Sequence, residues 1–324
     1  ACAEFWTVLL FLLSLFCCDV IPEGVKQSAP ENGDTLIALW WNLENAFDTL
    51  KDPTTRDDDF TPNGIKEWTR YRYYRKMQRL SKGLRAAAGQ NIPDFIGVCE
   101  VENAQVLDDL QESFPWEWPM WRCHRDSPDA RGIDVAVFYN HQRWRLDSVA
   151  FIAQVHTGKS REGVWTLFQS KSEDDTIVLV WVHLPSLRQP NERVRKEALD
   201  LLVSHREVDL IIGDLNTHPN GPLGIWMSQI GLIELHSIIP WGTYAFGKRW
   251  SHLDSAWSSV SSQWQGAYQA IPFGTHSKPG NSPTIKPTFY AGKYYGGASD
   301  HLPLFIKVWK NPVSPYIYGS TSTR

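Results

Sequence analysis

Five short apolar runs in this chain each carry polar side chains at one end, and this pattern constrains the fold more than any other feature. The runs are residues 37–41 (IALWW) before Asn42, 95–99 (FIGVC) before Glu100, 178–182 (VLVWV) before His183, 210–213 (LIIG) before Asp214 and Asn216, and 302–306 (LPLFI) after Asp300 and His301. Short apolar runs bounded by turn signals are typical of buried strands. Because an unpaired buried polar group is costly, these side chains are expected to form one polar cluster at the rim of a sheet.

The rest of the chain predicts one α/β domain over residues 35–310. Helical periodicity is found over residues 66–88, 101–114 and 192–205, and strand patterns occupy the segments between them. In the first helix Trp68, Tyr71, Met77, Leu80 and Leu84 form an apolar stripe, and its Lys and Arg side chains are expected to face solvent or to contact phosphate. No repeat or linker interrupts this region.

The chain before residue 35 predicts export. Residues 5–18 (FWTVLLFLLSLFCC) are strongly apolar but short for a membrane span, so 1–18 is interpreted as a signal or lipoprotein-like leader. Cys18 is the candidate lipid acceptor, with an ordinary signal peptide or an uncleaved anchor as alternatives. Residues 19–34 are expected to be a flexible tether and 311–324 a polar tail. The protein would then act in the periplasm or outside the cell, free or membrane-tethered.

Charge and cysteine content narrow the classes further. A net charge of −4 argues against a processive duplex-DNA binder, although it leaves room for a local basic patch. Of the five cysteines, only Cys99 and Cys123 lie in the domain, which is too few for a disulfide framework. A buried free thiol is the favoured state for Cys99, with a bridge to Cys123 as the alternative.

The segment 213–219 (GDLNTHP) is the sharpest local motif. Asp214 and Asn216 are two residues apart, so on an extended segment their side chains point to the same side. A carboxylate and an amide placed in this way can orient a water molecule and hold a phosphoryl oxygen. An Asx-turn after a strand would have the same sequence, so the motif alone leaves both readings open.

Imidazoles and further carboxylates complete the candidate site. Asp300 and His301 precede the last strand, and Asp254 is a candidate to orient the ring of His301, since histidine transfers protons near neutral pH. His183 is a second imidazole at a strand end. Glu100 is a better candidate metal ligand than Glu102 because it directly ends an apolar run. Oxygen-rich ligands without a Cys–His cluster favour Mg²⁺, or Mn²⁺ or Ca²⁺, over Zn²⁺.

Together these motifs resemble the endonuclease/exonuclease/phosphatase superfamily, which has the deoxyribonuclease I-like fold. The resemblance covers about residues 36–309 and is greatest to the exported bacterial branch. It rests on Asn42 with Glu44-Asn45, Glu100 in GVCEVEN, Arg131-Gly132-Ile133-Asp134, His183, GDLN, Asp254 and SDHLPL in that order, with FTPNG at 60–64, Trp68 and residues 290–297 as further likeness.

The resemblance implies a two-sheet β-sandwich flanked by helices, in four α/β/β/α layers, with phosphoester hydrolysis at one end. It implies the following roles: Glu100, Asn42 and Asp300 at the metal, Asp214 and Asn216 on the attacking water and phosphoryl oxygens, His301 with Asp254 as general base or transition-state stabiliser, and His183 on the phosphate or the leaving group. Arg131 would contact the substrate phosphate or form a structural salt bridge. The role of Glu44 stays open, because many relatives have a different acidic residue there.

Three functions are compatible with this reading. The first is a metal-dependent phosphodiesterase or nuclease, monomeric and acting outside the cytoplasm. The second is a phosphatase or phospholipase on inositol phosphates or sphingomyelin-like head groups, for which residues 244–246 and 294–295 could enter a bilayer. The third is a binding protein that has lost catalysis, although every chemical position is filled. The substrate-selecting loops, at 49–66, 115–131, 156–163 and 240–252, carry no recognisable code.

Overall fold

The computed structural model describes residues 35–310 except 115, 117–119, 155–160, 187–191, 205–206 and 277–282. The predicted leader, tether and polar tail therefore lie outside the described residues. Among the described helices, none is both long and apolar enough to cross a membrane.

The described part contains short helices and many strands. The helices are α1 (Arg70–Ala88), α2 (Ala104–Glu112), α3 (Glu192–Val203) and α4 (Pro222–Gln229), with a 3₁₀ turn at Asp58–Phe60. The strands are β1 (Thr35–Ala46), β2 (Phe95–Val101), β3 (Met120–Cys123), β4 (Asp134–Asn140), β5 (Trp144–Ala153), β6 (Glu162–Ser170), β7 (Thr176–His183), β8 (Leu210–Asp214), β9 (Leu232–Glu234), β10 (His236–Ile238), β11 (Tyr244–Phe246), β12 (Arg249–Ser251), β13 (Asp254–Ser259), β14 (Trp264–Ala270), β15 (Thr275–His276), β16 (Thr284–Ile285), β17 (Phe289–Tyr290), β18 (Lys293–Tyr294) and β19 (Leu304–Lys310).

Two large mixed sheets dominate the architecture. The first has the strand order β10-β14-β19-β1-β2-β4-β3, and the second has the order β5-β6-β7-β8-β13-β9. The short strands β11 and β12, β15 and β16, and β17 and β18 form three separate antiparallel pairs. The strands that carry the predicted polar side chains, β1, β2, β7, β8 and β13, lie in the middle of the two sheets rather than at their edges. Each of these strands therefore has a hydrogen-bonded neighbour on both sides.

The side chains of the central strands alternate between two hydrophobic layers. Trp40 points between the sheets, where its ring stacks on Trp181 of the second sheet with centroids 6.4 Å apart. Trp41 points to the opposite face and packs with the buried side chains of α1 and α2, including Leu80. A third buried cluster joins the outer face of the second sheet to α3 and α4. These layers confirm the predicted α/β/β/α sandwich.

Gly97 of β2 lies against the tryptophan rings packed between the two sheets, and this position leads to a stability prediction. A Cβ atom at this position would lie 2.3 Å from the Trp181 ring and 2.8 Å from the Trp40 ring. We expect Gly97→Ala to destabilise the fold by about 1–3 kcal/mol, because overpacking forces neighbouring rings out of their preferred rotamers. Urea unfolding measures the effect. The exposed strand substitution Ser148→Ala is the control, and an equal loss in both variants would contradict the packing argument.

The first helix begins later than its periodicity predicted. Thr69 is the N-cap, and its hydroxyl accepts a hydrogen bond from the backbone N–H of Arg72 at 3.4 Å, so the helix starts at Arg70. Trp68 is buried but precedes the helix, while Tyr71 is exposed, so the predicted stripe was wrong at both residues. Lys76 is also buried, contrary to the expected solvated face for the basic residues. It donates to three oxygens below the site, described later.

Other differences follow from local signals that periodicity does not contain. Asn103 caps α2 by accepting from Val106 N–H at 3.0 Å, so the observed helix begins at Ala104. Residues 101–103, which were predicted to be helical, precede it. Helix α4 and strand β14 were not predicted, because α4 is only one short run after a Pro and β14 contains polar residues and a glycine. Cys99 is a buried free thiol, as expected, and so is Cys123. Burial raises the pKa of Cys123 to about 12.

Candidate active site

Two irregularities in neighbouring strands turn polar side chains toward one end of the sandwich. The pairing of β1 with β2 shifts register between Asn42 and Ala46, and the pairing of β2 with β4 shifts between Cys99 and Val101. Glu44, Asn45 and Glu100 have φ of 51°, 54° and 60°, in the left-handed region that non-glycine residues rarely adopt. Such strain costs about 1–3 kcal/mol per residue and is found mainly at functional sites. Here it places Glu100 where its Oε2 accepts the Asn45 N–H at 2.8 Å.

The second sheet delivers three polar residues in register. His183 of β7 pairs with Asp214 of β8, and Asp214 pairs on its other side with Asp254 of β13. Neighbouring strands are about 4.8 Å apart, so these side chains are held within a few ångströms of one another by the backbone. The predicted convergence therefore follows from the strand pairing of this sheet and from the two bulges of the other.

All predicted site residues except Asp254 line one cavity of about 270 Å³. Its lining consists of Asn42, Glu44, Asn45, Glu100, Arg131, Arg161, His183, Ser186, Asp214, Asn216, Tyr244, Leu253, Asp300 and His301. Asp254 lies behind His301, fully buried. Most of these side chains are charged or strongly polar, which fits an anionic ligand with a cation rather than an apolar one.

Asp214 lies at the centre of the cavity between the two imidazoles. Its Oδ2 is 3.1 Å from Asn42 Nδ2, 3.6 Å from His183 Nε2 and 3.9 Å from His301 Nε2. Burial, followed by the negative charge of Asp254, raises the pKa of Asp214 to about 7. A carboxylate in this position can accept a proton or a hydrogen bond from a water molecule in the cavity.

His301 and Asp254 form the predicted pair. His301 Nδ1 is 2.7 Å from Asp254 Oδ2, and the other Asp254 oxygen accepts from the Trp40 indole N–H at 2.9 Å. The ring is therefore fixed with Nε2 toward Asp214 and Asp300. Burial alone lowers the pKa of His301, but the carboxylates of Asp254, Asp214 and Asp300 together raise it well above its ordinary value. In this state the imidazolium can donate a hydrogen bond to an oxyanion.

His183 has the opposite electrostatic environment. Burial and then the positive charges of Arg161 and Arg131 hold the pKa of His183 well below its ordinary value. Arg161 Nη1 donates to His183 Nε2, and His183 Nδ1 has no hydrogen-bond partner among the described residues. Neutral His183 therefore accepts the Arg161 guanidinium on Nε2 and orients it, and it has no proton on Nε2 to donate to a phosphoryl oxygen or to a leaving group.

Arg161 was not among the sequence candidates. It is buried, and its Nε lies 3.7 Å from Asp129 Oδ2, to which Arg131 Nη2 also donates at 3.1 Å. Arg131 thus makes the salt bridge that was one of its two predicted roles, while its side chain also lines the cavity. Arg161 directly precedes β6, as Asp300 and His301 precede β19. The rule of polar residues at strand ends would have found it if it had been applied to strand starts.

The carboxylates of Glu100 and Asp300 face the same side of the cavity. Burial raises the pKa of Asp300 to about 6, and the negative charge of Glu100 contributes in the same direction. Carboxylate oxygens that line a polar cavity are the donor type that a hard divalent cation prefers. Asn42 contributes differently from the prediction, because its Nδ2 faces Glu100 Oε1 at 3.4 Å and its Oδ1 accepts the Glu44 N–H at 3.0 Å. In this arrangement the amide donates hydrogen bonds to the carboxylates of Glu100 and Asp214, and its role as a metal ligand stays a prediction.

Glu44, whose role the sequence left open, binds the backbone of residues 288–289 beside the site. Its carboxylate accepts from the backbone N–H groups of Thr288 and Phe289 at 2.6 and 2.9 Å. Beneath it, the Lys76 ammonium donates to Glu44 O, Thr288 Oγ1 and Ala298 O at 2.9, 2.6 and 3.0 Å. Burial raises the pKa of Glu44 to about 8 and lowers that of Lys76 to about 8. This buried network ties β1 and α1 to the residues leading to Asp300.

Asn216 is positioned by the strand end that carries Asp214. Its backbone N–H donates to Asp214 Oδ1 at 2.9 Å, and its Nδ2 donates to the Leu184 carbonyl at 2.9 Å. The Asx-turn reading of this motif is therefore correct for the backbone, while both side chains still line the cavity. The positive φ of Asn216, 48°, adds a further strained residue at this rim.

Two groups of described side chains have ligand atoms close enough together to hold a metal ion: Asp214, Asp254 and His301 in the site, and His124, Asp126 and Asp134 outside the cavity. Asp134 is buried, and its two oxygens accept from Ser127 N–H at 2.9 Å and contact His124 Nε2 at 3.1 Å. Both oxygens are thus already engaged within the protein. Asp134 therefore holds the backbone of the loop that carries Asp129 and Arg131. The RGID motif thus positions residues near the site through this hydrogen bond.

Comparison with known proteins decides the family. The sequence model of the Endonuclease/Exonuclease/phosphatase family matches residues 37–223. The chain belongs to this family. A search of curated protein sequences finds no match. The matched region of the endonuclease/exonuclease/phosphatase family includes Asn42, Glu100, His183 and Asp214, while Asp254 and His301 lie beyond it.

Solved structures share the fold of this endonuclease/exonuclease/phosphatase chain at low sequence identity. A family protein from Bacteroides thetaiotaomicron is 14% identical with a TM-score of 0.57, over 87% of this chain and 100% of that one. The mannosyl-6-phosphatase of the same organism is 15% identical with a TM-score of 0.54, over 84% and 99%. The human Nocturnin catalytic domain, solved with a bound sulfate anion, is 16% identical with a TM-score of 0.52, over 86% and 94%. These similarities show the fold, and family membership indicates a phosphoester hydrolase of the nuclease and phosphatase group.

Proposed function

We propose that this protein is a divalent-metal-dependent phosphodiesterase or nuclease. The observation that carries the proposal is the convergence of carboxylates, two imidazoles and a buried arginine on one cavity. Displacement at phosphorus depends on positioning and on neutralising charge, and this set of groups supplies both. The filled positions also argue against a binding protein that has lost catalysis.

We propose the following roles for the residues that line the cavity or support it. Arg161, oriented by its hydrogen bond to neutral His183, would hold the non-bridging phosphoryl oxygens together with Asn216. Asp214 would orient the attacking water, and His301, held by Asp254, would donate to the developing negative charge. Glu100 and Asp300 would hold Mg²⁺, which when bound would polarise a phosphoryl oxygen. The oxygen donor set fits Mg²⁺ or Mn²⁺, with Ca²⁺ as a further possibility.

Hydrolysis of bis-p-nitrophenyl phosphate tests the proposal. Folded protein is expected to release p-nitrophenol with Mg²⁺ and to lose this activity in EDTA. No metal-dependent turnover by folded protein would contradict the proposal and favour the binding-protein reading.

A phosphatase acting on monoesters is the second candidate, and one observation favours it. Arg131 and Arg161 are both held by Asp129, and such a pair suits the two negative charges of a terminal phosphate. p-Nitrophenyl phosphate, inositol phosphates and sphingomyelin assayed beside the diester distinguish the candidates. Faster turnover of a monoester or of a lipid head group than of the diester would replace the leading proposal.

Arg161 provides a prediction for substrate binding. Arg161→Lys keeps a positive charge but removes the guanidinium fork that reaches both Asp129 and His183, so we expect KM to rise about tenfold to a hundredfold. Steady-state kinetics on the diester measures the change. Arg145→Lys, which alters an exposed Arg145–Asp147 pair on β5, is the control. A normal KM for Arg161→Lys would show that Arg161 has only a structural role.

We also propose that the chain is exported, as its first 34 residues suggest. Fractionation of a bacterial host and mass spectrometry of the mature N-terminus test this. A mature protein that begins with lipidated Cys18 would support the membrane-tethered form, and full-length protein retained in the cytoplasm would contradict export. Gel filtration tests the expected monomer.

A further inference from the structure

Four aromatic rings form a row that starts at the catalytic cavity, and we call it the aromatic row: Tyr244, Phe246, Tyr290 and Tyr295. The Tyr244 ring contacts His301 with centroids 4.8 Å apart. Tyr244 and Phe246 lie on one face of β11, because the intervening Ala245 points into the core. Phe246 contacts Tyr290 at 5.1 Å, and Tyr290 contacts Tyr295 at 6.0 Å. The row therefore joins the site to the surface.

The rings of the row remain accessible although they touch one another. The Tyr244 ring is tilted by 47° to His301, Phe246 is tilted by 46° to Tyr290, and Tyr290 meets Tyr295 edge-on at 88°, so these rings do not cover each other's faces as stacked rings would. Phe246 is 55% exposed and Tyr295 is 47% exposed. Exposed aromatic surface that continues from a polar cavity indicates a binding surface for part of a ligand.

The two segments that carry the row are positively charged. Residues 240–253 and 283–299 contain no Asp or Glu but contain Lys248, Arg249, Lys286 and Lys293, in a chain whose net charge is −4. All four cationic side chains are exposed. Arg249 lies directly opposite Phe246 in the β11–β12 pair, so it shares a face with that ring. The occupant of the row is therefore expected to carry several negative charges beside its planar groups.

We propose that the aromatic row binds single-stranded nucleic acid, whose bases stack on the rings while Lys248, Arg249 and Lys293 contact its phosphates. This inference rests on the proposed function, since the scissile phosphate would then lie in the catalytic cavity. Aromatic side chains beside cations are the usual means of holding unpaired strands. A duplex offers no free base faces to such a row. A neutral sugar would not need the cations, and rings that pack on one another along a surface do not project as a wedge into a bilayer.

Binding of a labelled twelve-nucleotide single strand tests the proposal by fluorescence anisotropy. The His301→Ala protein in EDTA serves as the background, so that the strand is not cut. On this background Phe246→Ala and Tyr295→Ala are each expected to raise Kd about tenfold. The double substitution Lys248→Gln with Lys293→Gln is expected to lower the slope of log K against log salt concentration by about 1.4.

Trp121→Ala is the matched control. Trp121 is 58% exposed and pairs with Tyr139, whereas the cavity lies beyond Asp134 at the other end of β4, so its loss is expected to leave Kd within about twofold. Thermal unfolding confirms that each variant is folded. Unchanged binding in the row variants, an equal loss in Trp121→Ala, or equally tight binding of a duplex would overturn the proposal. The proposal would also be overturned if phosphatidylserine vesicles displaced the strand and the row variants no longer bound these vesicles.

The outcome is separable from that of the proposed function. If the unsubstituted protein hydrolyses bis-p-nitrophenyl phosphate but does not bind the single strand, only the proposal for the aromatic row is overturned. Strand binding through the row without metal-dependent hydrolysis would support the row and contradict the enzymatic proposal.

Discussion

Replacing His301 with glutamine is expected to lower kcat for diester hydrolysis about 10²–10³-fold, as removal of a positioned donor to the developing negative charge does. Glutamine has a similar length and can still donate to Asp254, but it does not carry the positive charge of the imidazolium. The 2.7 Å contact with Asp254 and the location of Nε2 near Asp214 make His301 the best-held such group in the cavity. Steady-state rates with Mg²⁺ measure the loss.

The partner of His301 gives an independent control. Asp254→Asn removes a charge that raises the pKa of His301, so the pH dependence of kcat attributable to His301 should move to lower pH. Because Asp254 also accepts a hydrogen bond from Trp40, its substitution could disturb the core. Circular dichroism therefore has to show that both variants are folded. Retention of more than a tenth of the activity in His301→Gln would remove His301 from the mechanism.

Replacing Asp214 with asparagine is expected to abolish most activity and yet to stabilise the fold at neutral pH. The pKa of Asp214 is raised from 3.8 to about 7 in the folded protein. As the pH rises above about 4, the unfolded chain therefore releases this proton first, and the free energy of unfolding falls until the folded group also ionises near pH 7. Asp214→Asn removes this loss. Urea unfolding in EDTA between pH 4 and 8 measures it.

The pH slope should decrease in Asp214→Asn without disappearing, because Glu44 and Asp300 have raised pKa values as well. Mg²⁺ should raise the unfolding midpoint of the unsubstituted protein at pH 8, since a ligand that binds only the folded state stabilises it. The same addition should have little effect on Glu100→Gln. A steeper pH dependence in Asp214→Asn than in the unsubstituted protein would contradict the electrostatic account.

The sequence predicted the central strands and the side chains at their ends from simple periodicities, and the resemblance to the family predicted the layers. Apolar runs gave the central strands, and the polar residue at the end of each run gave Glu100, His183 and Asp214 without knowledge of the pairing. The order of motifs then predicted the family. What brings the residues together is the register of β7, β8 and β13 and the bulges at Asn42 and Glu100, which no local pattern specifies.

The residues that were missed or misplaced depend on contacts distant in the chain. Lys76 is on a helix rich in cations and gives no local sign of burial, because its acceptors include Thr288 and Ala298, over two hundred residues away. Arg161 is separated from its partner His183 by a whole hairpin. The aromatic row likewise becomes visible only when the segments around Phe246 and Tyr290 lie side by side.

Crystals soaked with Mn²⁺ and inorganic phosphate, measured at the manganese absorption edge, test most directly whether these side chains form one metal-dependent site. The account predicts an anomalous peak bound by Glu100 and Asp300, with phosphate between that ion and Arg161. A peak at His124, Asp126 and Asp134 instead, or phosphate bound with no metal near Glu100, would contradict it.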